Sequence, residues 1–339
     1  MKPAKSIILP ATGTLLVACV AISPGMEAAE VYWDGGNGVG LWSTNTNWAG
    51  DSLPGVLDSA VIGKNALGSN PATATHDAGT SSVTNLTIGQ GFGGPGTGTL
   101  NVSGGTLNTV GLTMGQYDGS VGTLNVNGGT VNLTATQNNF IGNTGTASIN
   151  VSDGFLVGAS QARLWMGSGG TASLNISGGR VGTAAGTSYG VTLYMNQGGT
   201  ANLTIDGSVG AMNFDTVRIN GSAGTTTINM NADADGISTL YAAAIQTQGA
   251  GTQNLNIDLT NYNVSNGTSI TLFDSDFAVI STNINNVFDS ININGGTGTI
   301  NVTAQGSGSI VTLDNIVVPE PSSLALMALG GLAMARRRR

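Results

Sequence analysis

Between residues 98 and 230, apolar and polar positions alternate in short bursts that recur. The segments "GTLNVSGGTLNT", "GTLNVNGGTVNL", "ASINVSDGFLVG", "ASLNISGGRVGT" and "ANLTIDGSVGAM" follow one pattern. Their first apolar anchors are Leu100, Leu124, Ile149, Leu174 and Leu203, with Ile228 opening a sixth copy, so the spacings are 24, 25, 25, 29 and 25 residues. A fixed period of this size is the mark of stacked repeats, each too small to bury its own apolar face.

Within one unit the alternation predicts three strands. The first reads Leu100-Asn101-Val102; a Ser-Gly-Gly or Asp-Gly turn follows; the second carries Leu107, Val131, Leu156, Val181 or Val209. The third is the run "LTIG", "LTMG", "NFIG", "LWMG", "LYMN" or "VRIN". Three strands in a unit of about 25 residues make one coil of a parallel β-helix, with glycines supplying the positive φ that its corners need. The predicted fold is all-β, a right-handed parallel β-helix.

The same alternation assigns faces. With Leu100 and Val102 inward, Asn101 points outward, as do Asn125, Asn150, Asn175 and Asn229 in the other copies. In-register amides of this kind bond to one another along a stack. In the third strand Ile88, Met114, Ile141, Met166, Met195 and Ile219 should face inward, leaving Thr87, Thr113, Phe140, Trp165, Tyr194 and Arg218 outside. Phe140, Trp165 and Tyr194, followed by Arg218, form either a self-packed ladder that stiffens the stack or a contact surface for sugar rings or a partner protein.

The repeats occupy residues 76–236. Ahead of them, residues 30–75 contain Trp33, Trp42 and Trp48. An open solenoid end exposes unpaired strand edges, so this block is expected to be a cap; a sugar site on exposed indoles is the functional alternative. Beyond Gly236, "NGTSITLFDSDFAVI", "GTINV" and "SIVTLDNIVV" predict a β-rich closing unit over 237–316.

The termini have a different character. Lys2 and Lys5 precede "SIILPATGTLLVACVAIS", and Ala28 and Ala29 follow, so residues 1–29 are expected to be a secretory signal peptide. "LVAC" is similar to a lipoprotein signal, with Cys19 as the lipidated residue, although apolar residues continue past it. At the other end, Pro319, Glu320 and Pro321 lead into an apolar run over 322–335 and then Arg336, Arg337, Arg338 and Arg339. As a helix that run spans roughly 21 Å, short of a bilayer core of about 30 Å. The arginines favour the cytoplasmic face and leave everything upstream outside.

Residues 317–339 resemble the PEP-CTERM sorting signal of bacterial exported proteins in all three of these parts and in their order. The resemblance implies a short transmembrane sorting helix, transient membrane association, and recognition by an exosortase-type enzyme. It also implies cargo associated with exopolysaccharide or biofilm. The repeats over residues 83–230 resemble the passenger-associated repeats of bacterial autotransporters, which implies a β-helical stalk and no particular chemistry.

Composition narrows the chemistry. Only 8% of residues are charged and the net charge is −8, with Lys64, Arg163, Arg180 and Arg218 the only basic residues between the two ends. No basic stripe exists for nucleic acid. One Cys and one His exclude a disulfide framework and a His/Cys metal cluster within the chain. Polysaccharide hydrolysis needs paired carboxylates, but the acids of the repeats are isolated aspartates such as Asp153, Asp206 and Asp258, and His76 has no evident partners. Asn231, Asp233 and Asp235 with Gly236 match the first positions of an EF-hand-like loop, a weak calcium candidate, because position 12 is Ala242. The expectation is an exported, non-catalytic surface or matrix protein without a cofactor. The alternatives are a carbohydrate-binding adhesin and a divergent polysaccharide-active enzyme.

Overall fold

Period-two alternation buries one side of every strand, and three such strands per unit close into a three-sided coil with the apolar side within. The computed structural model describes residues 29–318 except 36–38, 66–69, 92, 160–161, 183–189, 208–211, 222, 250, 264–266 and 278–286. The predicted signal peptide up to residue 28 and the sorting tail from residue 319 therefore lie outside the described residues.

The first face of the coil is a parallel, in-register stack. It runs from Val39–Leu41 through Ala72–His76, Thr97–Val102, the first halves of Val121–Leu133 and Thr146–Gly158, and Thr171–Ile176. It continues through Thr200–Asp206, Thr225–Asn231, Thr252–Asp258 and Ser290–Asn294. The second face is formed by the starts of Thr80–Gln90 and Thr106–Met114, the later halves of the two long strands, Arg180–Gly182, and the starts of Met212–Gly221 and Leu240–Gly249. The third begins at Glu30–Tyr32 and Ser59–Lys64 and passes through Asn138–Ile141, Ala162–Met166 and Val191–Met195 to the ends of Met212–Gly221 and Leu240–Gly249. Together they make an all-β parallel solenoid of about eight turns. The single 3-10 turn Asn45–Asn47 is the only helix among the described residues.

The inward assignments hold. Leu100, Leu124, Ile149, Leu174, Leu203 and Ile228 are buried, and so are Ile88, Met114, Ile141, Met166, Met195 and Ile219. One second-strand anchor is corrected. Val209 lies outside the described residues, and the residue that pairs with Val181 is Met212, three positions later. The outward asparagines form the expected ladder: Asn125 donates to Asn101, Asn150 to Asn125 and Asn175 to Asn150, each at 2.8 Å. Thr204 interrupts it, accepting from Asn229 at 3.4 Å, after which Asn256 and Asn292 extend it.

The turn from the third face back to the first is tight. Gly89 and Gly115 sit there with φ of 73° and 56°, and a Cβ on Gly115 would lie 2.4 Å from the Thr146 carbonyl oxygen. Asn196 takes the equivalent place with φ 63°, being one of the few residues with a side chain that tolerates that region.

The tryptophan block covers the first coil. Trp33, Trp42 and Trp48 are all buried, with Trp48 edge-on to Trp33 at 5.0 Å and to Trp42 at 4.7 Å. The Trp48 indole N–H donates to the Trp42 carbonyl at 2.9 Å. Buried to this extent, the three rings present no face to solvent and cannot act as a stacking platform for sugars. At the far end the parallel stacking continues past residue 236 to Ser290–Asn294, further than the predicted repeat boundary. The stack ends in an antiparallel hairpin of Thr297–Gln305 and Gly308–Val317, whose second strand also pairs with Thr268–Phe277.

Candidate functional site

The outward column of the third face places Phe140, Trp165, Tyr194, Arg218 and Gln246 one above another in register. Strand spacing in a sheet is about 4.8 Å, so aromatic rings on successive rungs must touch. Trp165 meets Phe140 edge-on at 6.0 Å and stacks on Tyr194 at 5.3 Å with 29° between planes. The Arg218 guanidinium lies 4.9 Å from the Tyr194 centroid. Since Trp165 and Arg218 belong to the rungs before and after Tyr194, both faces of that ring are covered. Flat stacking on a pyranose needs a free face, so Tyr194 offers only its edge. The indole Nε1 of Trp165 and the Nε of Arg218 are buried without a hydrogen-bond partner, shielded inside the stack.

The next outward column adds residues that were not singled out from the sequence. Arg163, two positions before Trp165, projects on the same side, and together with Thr192, Tyr194, Asp215, Thr216 and Arg218 it lines a groove of about 130 Å³. Arg163 reaches Asn138 at 3.4 Å, and the Thr192 hydroxyl donates to Asp215 at 3.3 Å. Asp215 is there because of a β-bulge: Val191 pairs with Phe214, whereas Thr192 pairs with Thr216. A bulge re-aims the extra side chain. Arg163 was legible from its spacing to Trp165, but Asp215 breaks the alternation and gave no signal.

The calcium candidate belongs to a second concavity at the corner after the first face. Ser177, Asp206, Asn231, Asp233, Asp258 and Asn261 are among the residues lining a cleft of about 550 Å³; Asp235 is exposed and lies outside the lining. Each carboxylate is occupied locally. Asp206 accepts from Asn231 at 2.6 Å, and Asp233 accepts the N–H groups of Asp235 and Gly236 at 2.8 and 2.9 Å. Asp258 takes the hydroxyl and the N–H of Thr260 at 2.5 and 2.9 Å, bonds that hold its carboxyl below the usual range. Asp233 and Asp258 close turns, and Asp206 bonds across to the next coil. Among the described residues no group of three or more His, Cys, Asp or Glu is arranged to hold a metal ion.

His76 does have partners, contrary to the reading of the sequence. Its Nδ1 lies 3.0 Å from the Gly104 carbonyl oxygen and its Nε2 3.1 Å from the Ser81 hydroxyl. A carbonyl acceptor at Nδ1 requires the proton there, and in the neutral ring Nε2 then accepts from Ser81. Hydrolytic dyads share that polarity, but here the ring is 1% exposed and lies against Trp42 at 6.0 Å, so substrate has no approach to it.

By fold and surface, then, this is a parallel β-solenoid whose exterior is organised into side-chain ladders. Residues 317–339 match the family model of the PEP-CTERM protein-sorting motif. That motif implies recognition by an exosortase-type sorting enzyme and export to the cell exterior or surface. Among the described residues no helix is long and apolar enough to cross a membrane; the apolar run over 322–335 lies outside them. No curated protein and no solved structure matches the chain.

Proposed function

We propose that the mature protein is a non-catalytic structural and adhesive element of the cell surface or extracellular matrix, surrounded there by exopolysaccharide. The observation that carries this reading is that the exterior side chains are engaged by neighbouring coils. The amide ladder, the aromatic stack and the loop carboxylates each bond along or beside the axis, an arrangement that stiffens a rod. On this reading the coil has the right-handed sense that parallel crossovers take. The tail enters the membrane as a short helix, holding the chain while an exosortase-type enzyme acts near Pro319, Glu320 and Pro321.

One observation favours a second reading, a carbohydrate-binding adhesin: Arg163, Asp215 and Arg218 converge on a groove beside the ring edges of the stripe. A glycan array probed with the protein and with Trp165→Ala separates the two. The rod reading expects no glycan whose retention depends on Trp165. A glycan held by the wild type and lost from the variant would make the stripe a binding site. Incubation with acidic and neutral polysaccharides completes the test, and new reducing or unsaturated chain ends would contradict a non-catalytic role.

A further inference from the structure

The two ends of the coil are finished differently. At the start, Trp48 bridges Trp33, the Ala49 N–H donates to the Tyr32 carbonyl at 2.9 Å, and the Asn47 amide donates to the Leu41 carbonyl at 3.0 Å. The cap thus folds over the edges of the first strands. At the other end, Thr297–Gln305 bonds to Gly308–Val317 along one edge, and no described residue pairs with the other. This strand is nine residues long and contains neither a charged residue nor a proline. Its only register irregularity lies between Thr297 and Thr299. Edge strands are ordinarily protected by charge, proline, a bulge or a cover.

The unpaired edge also carries a pairing sequence. "GTINV" at 298–302 repeats the "GTLNV" of 98–102 and 122–126, which in both of those places has a strand on either side. Ile300 and Val302 pack against the core but remain half-buried, while Thr299, Asn301 and Thr303 are exposed.

We propose that this edge joins two copies of the chain, paired antiparallel about a two-fold axis through Asn301. In that register Thr299-Ile300-Asn301-Val302-Thr303 is complementary to itself. Thr299 of one copy lies opposite Thr303 of the other, Ile300 opposite Val302, and Asn301 opposite Asn301. An axis normal to the sheet keeps faces together, so the aliphatic pairs meet on the core side and the threonine pairs on the outer side, both favourable cross-strand combinations. A slip of one residue would set apolar against polar faces, and a slip of two would set Gly298 opposite Val302 or Ala304 opposite Ile300. The nearest carboxylate, Asp314, sits on the adjacent strand and takes bonds from Asn301 and Ser269, so no anion opposes its copy at the axis. A self-matching patch of this kind closes as a symmetric dimer.

The test is sedimentation velocity across a concentration series, using the protein as recovered from the cell exterior. The wild type should show a reversible dimer. Thr299→Lys with Thr303→Lys places like charges opposite each other at both outer pairs, and should weaken the dimer roughly tenfold. Thr299→Lys with Thr303→Glu places opposite charges there and should restore it to about the wild-type affinity. Both positions are exposed, so circular dichroism should report an unchanged fold in each variant. A wild type that stays monomeric throughout would overturn the proposal. So would a doubly lysine-substituted variant that dimerises as well as the wild type. Failure of the lysine–glutamate variant to recover would overturn the register.

Discussion

Val151 and Asn150 are neighbours on one strand and answer to opposite surroundings. Val151 is 1% exposed inside the coil, whereas Asn150 lies outside, donating to Asn125 and accepting from Asn175 at 2.8 Å. Val151→Asp would bury a charge with no partner and should destabilise by several kcal/mol. Asn150→Ser removes two amide bonds on a half-exposed face and should lower stability by about 1–2 kcal/mol. Equal losses in thermal melts would mean that the two faces are not distinct. Acid sensitivity also has a residue-level address. Hydrogen bonds from Ser269 and Asn301 hold the Asp314 carboxyl below its usual range, as those from Thr260 do for Asp258. A lowered folded-state value stabilises above the unfolded value and is lost as pH falls through the folded one. The last coils should therefore loosen below about pH 4 before the middle of the stack does, and hydrogen exchange over 252–317 compared with 97–176 should show that order. Simultaneous loosening would contradict it. The inward and outward identities were legible in the sequence because strand alternation is strict. Asp215 was not, because a bulge places it against that alternation.

At the level of elements, the corners are the least tolerant parts. Gly115 combines positive φ with a close approach to the Thr146 carbonyl, so Gly115→Ala should cost roughly 2 kcal/mol or more. Thr113→Ala, on the half-buried exterior of the strand that leads into this corner, should stay within about 1 kcal/mol. Chemical denaturation of the two variants checks this, and comparable midpoints would remove the corner argument. Three strands per unit were readable because the period fixes how much chain each coil has. After the turn at Gly207 the described partner of Val181 is Met212, a buried residue three positions beyond the expected anchor, which itself lies outside the described residues. The far boundary of the coil was misread. After residue 236 the glycine-rich turn signature fades while the first-face strands Thr252–Asp258 and Ser290–Asn294 keep stacking. Parallel pairing needs alternation and register, and neither requires that signature.

For the whole molecule, delivery and architecture are separable. The coil is capped at its start by tryptophans and ends in a hairpin, and the sorting motif begins where that hairpin stops, at residue 317. The tail was legible because three chemically distinct parts stand in order. The stripe was legible as a column but not as a stack, since the sequence does not show whether ring faces are free. Deleting Arg336, Arg337, Arg338 and Arg339 should impair retention and sorting while leaving the melting transition of the coil unchanged; a shifted transition would tie the tail to the fold. Replacing Pro319, Glu320 and Pro321 together with alanine should leave an unprocessed, membrane-held form. The most direct measurement is the intact mass of the protein recovered from the outside of its native host. The account predicts a chain that has lost its arginine cluster and ends close to Pro319–Pro321. A surface-located chain still ending in Arg339 would contradict it and make the segment a lasting anchor.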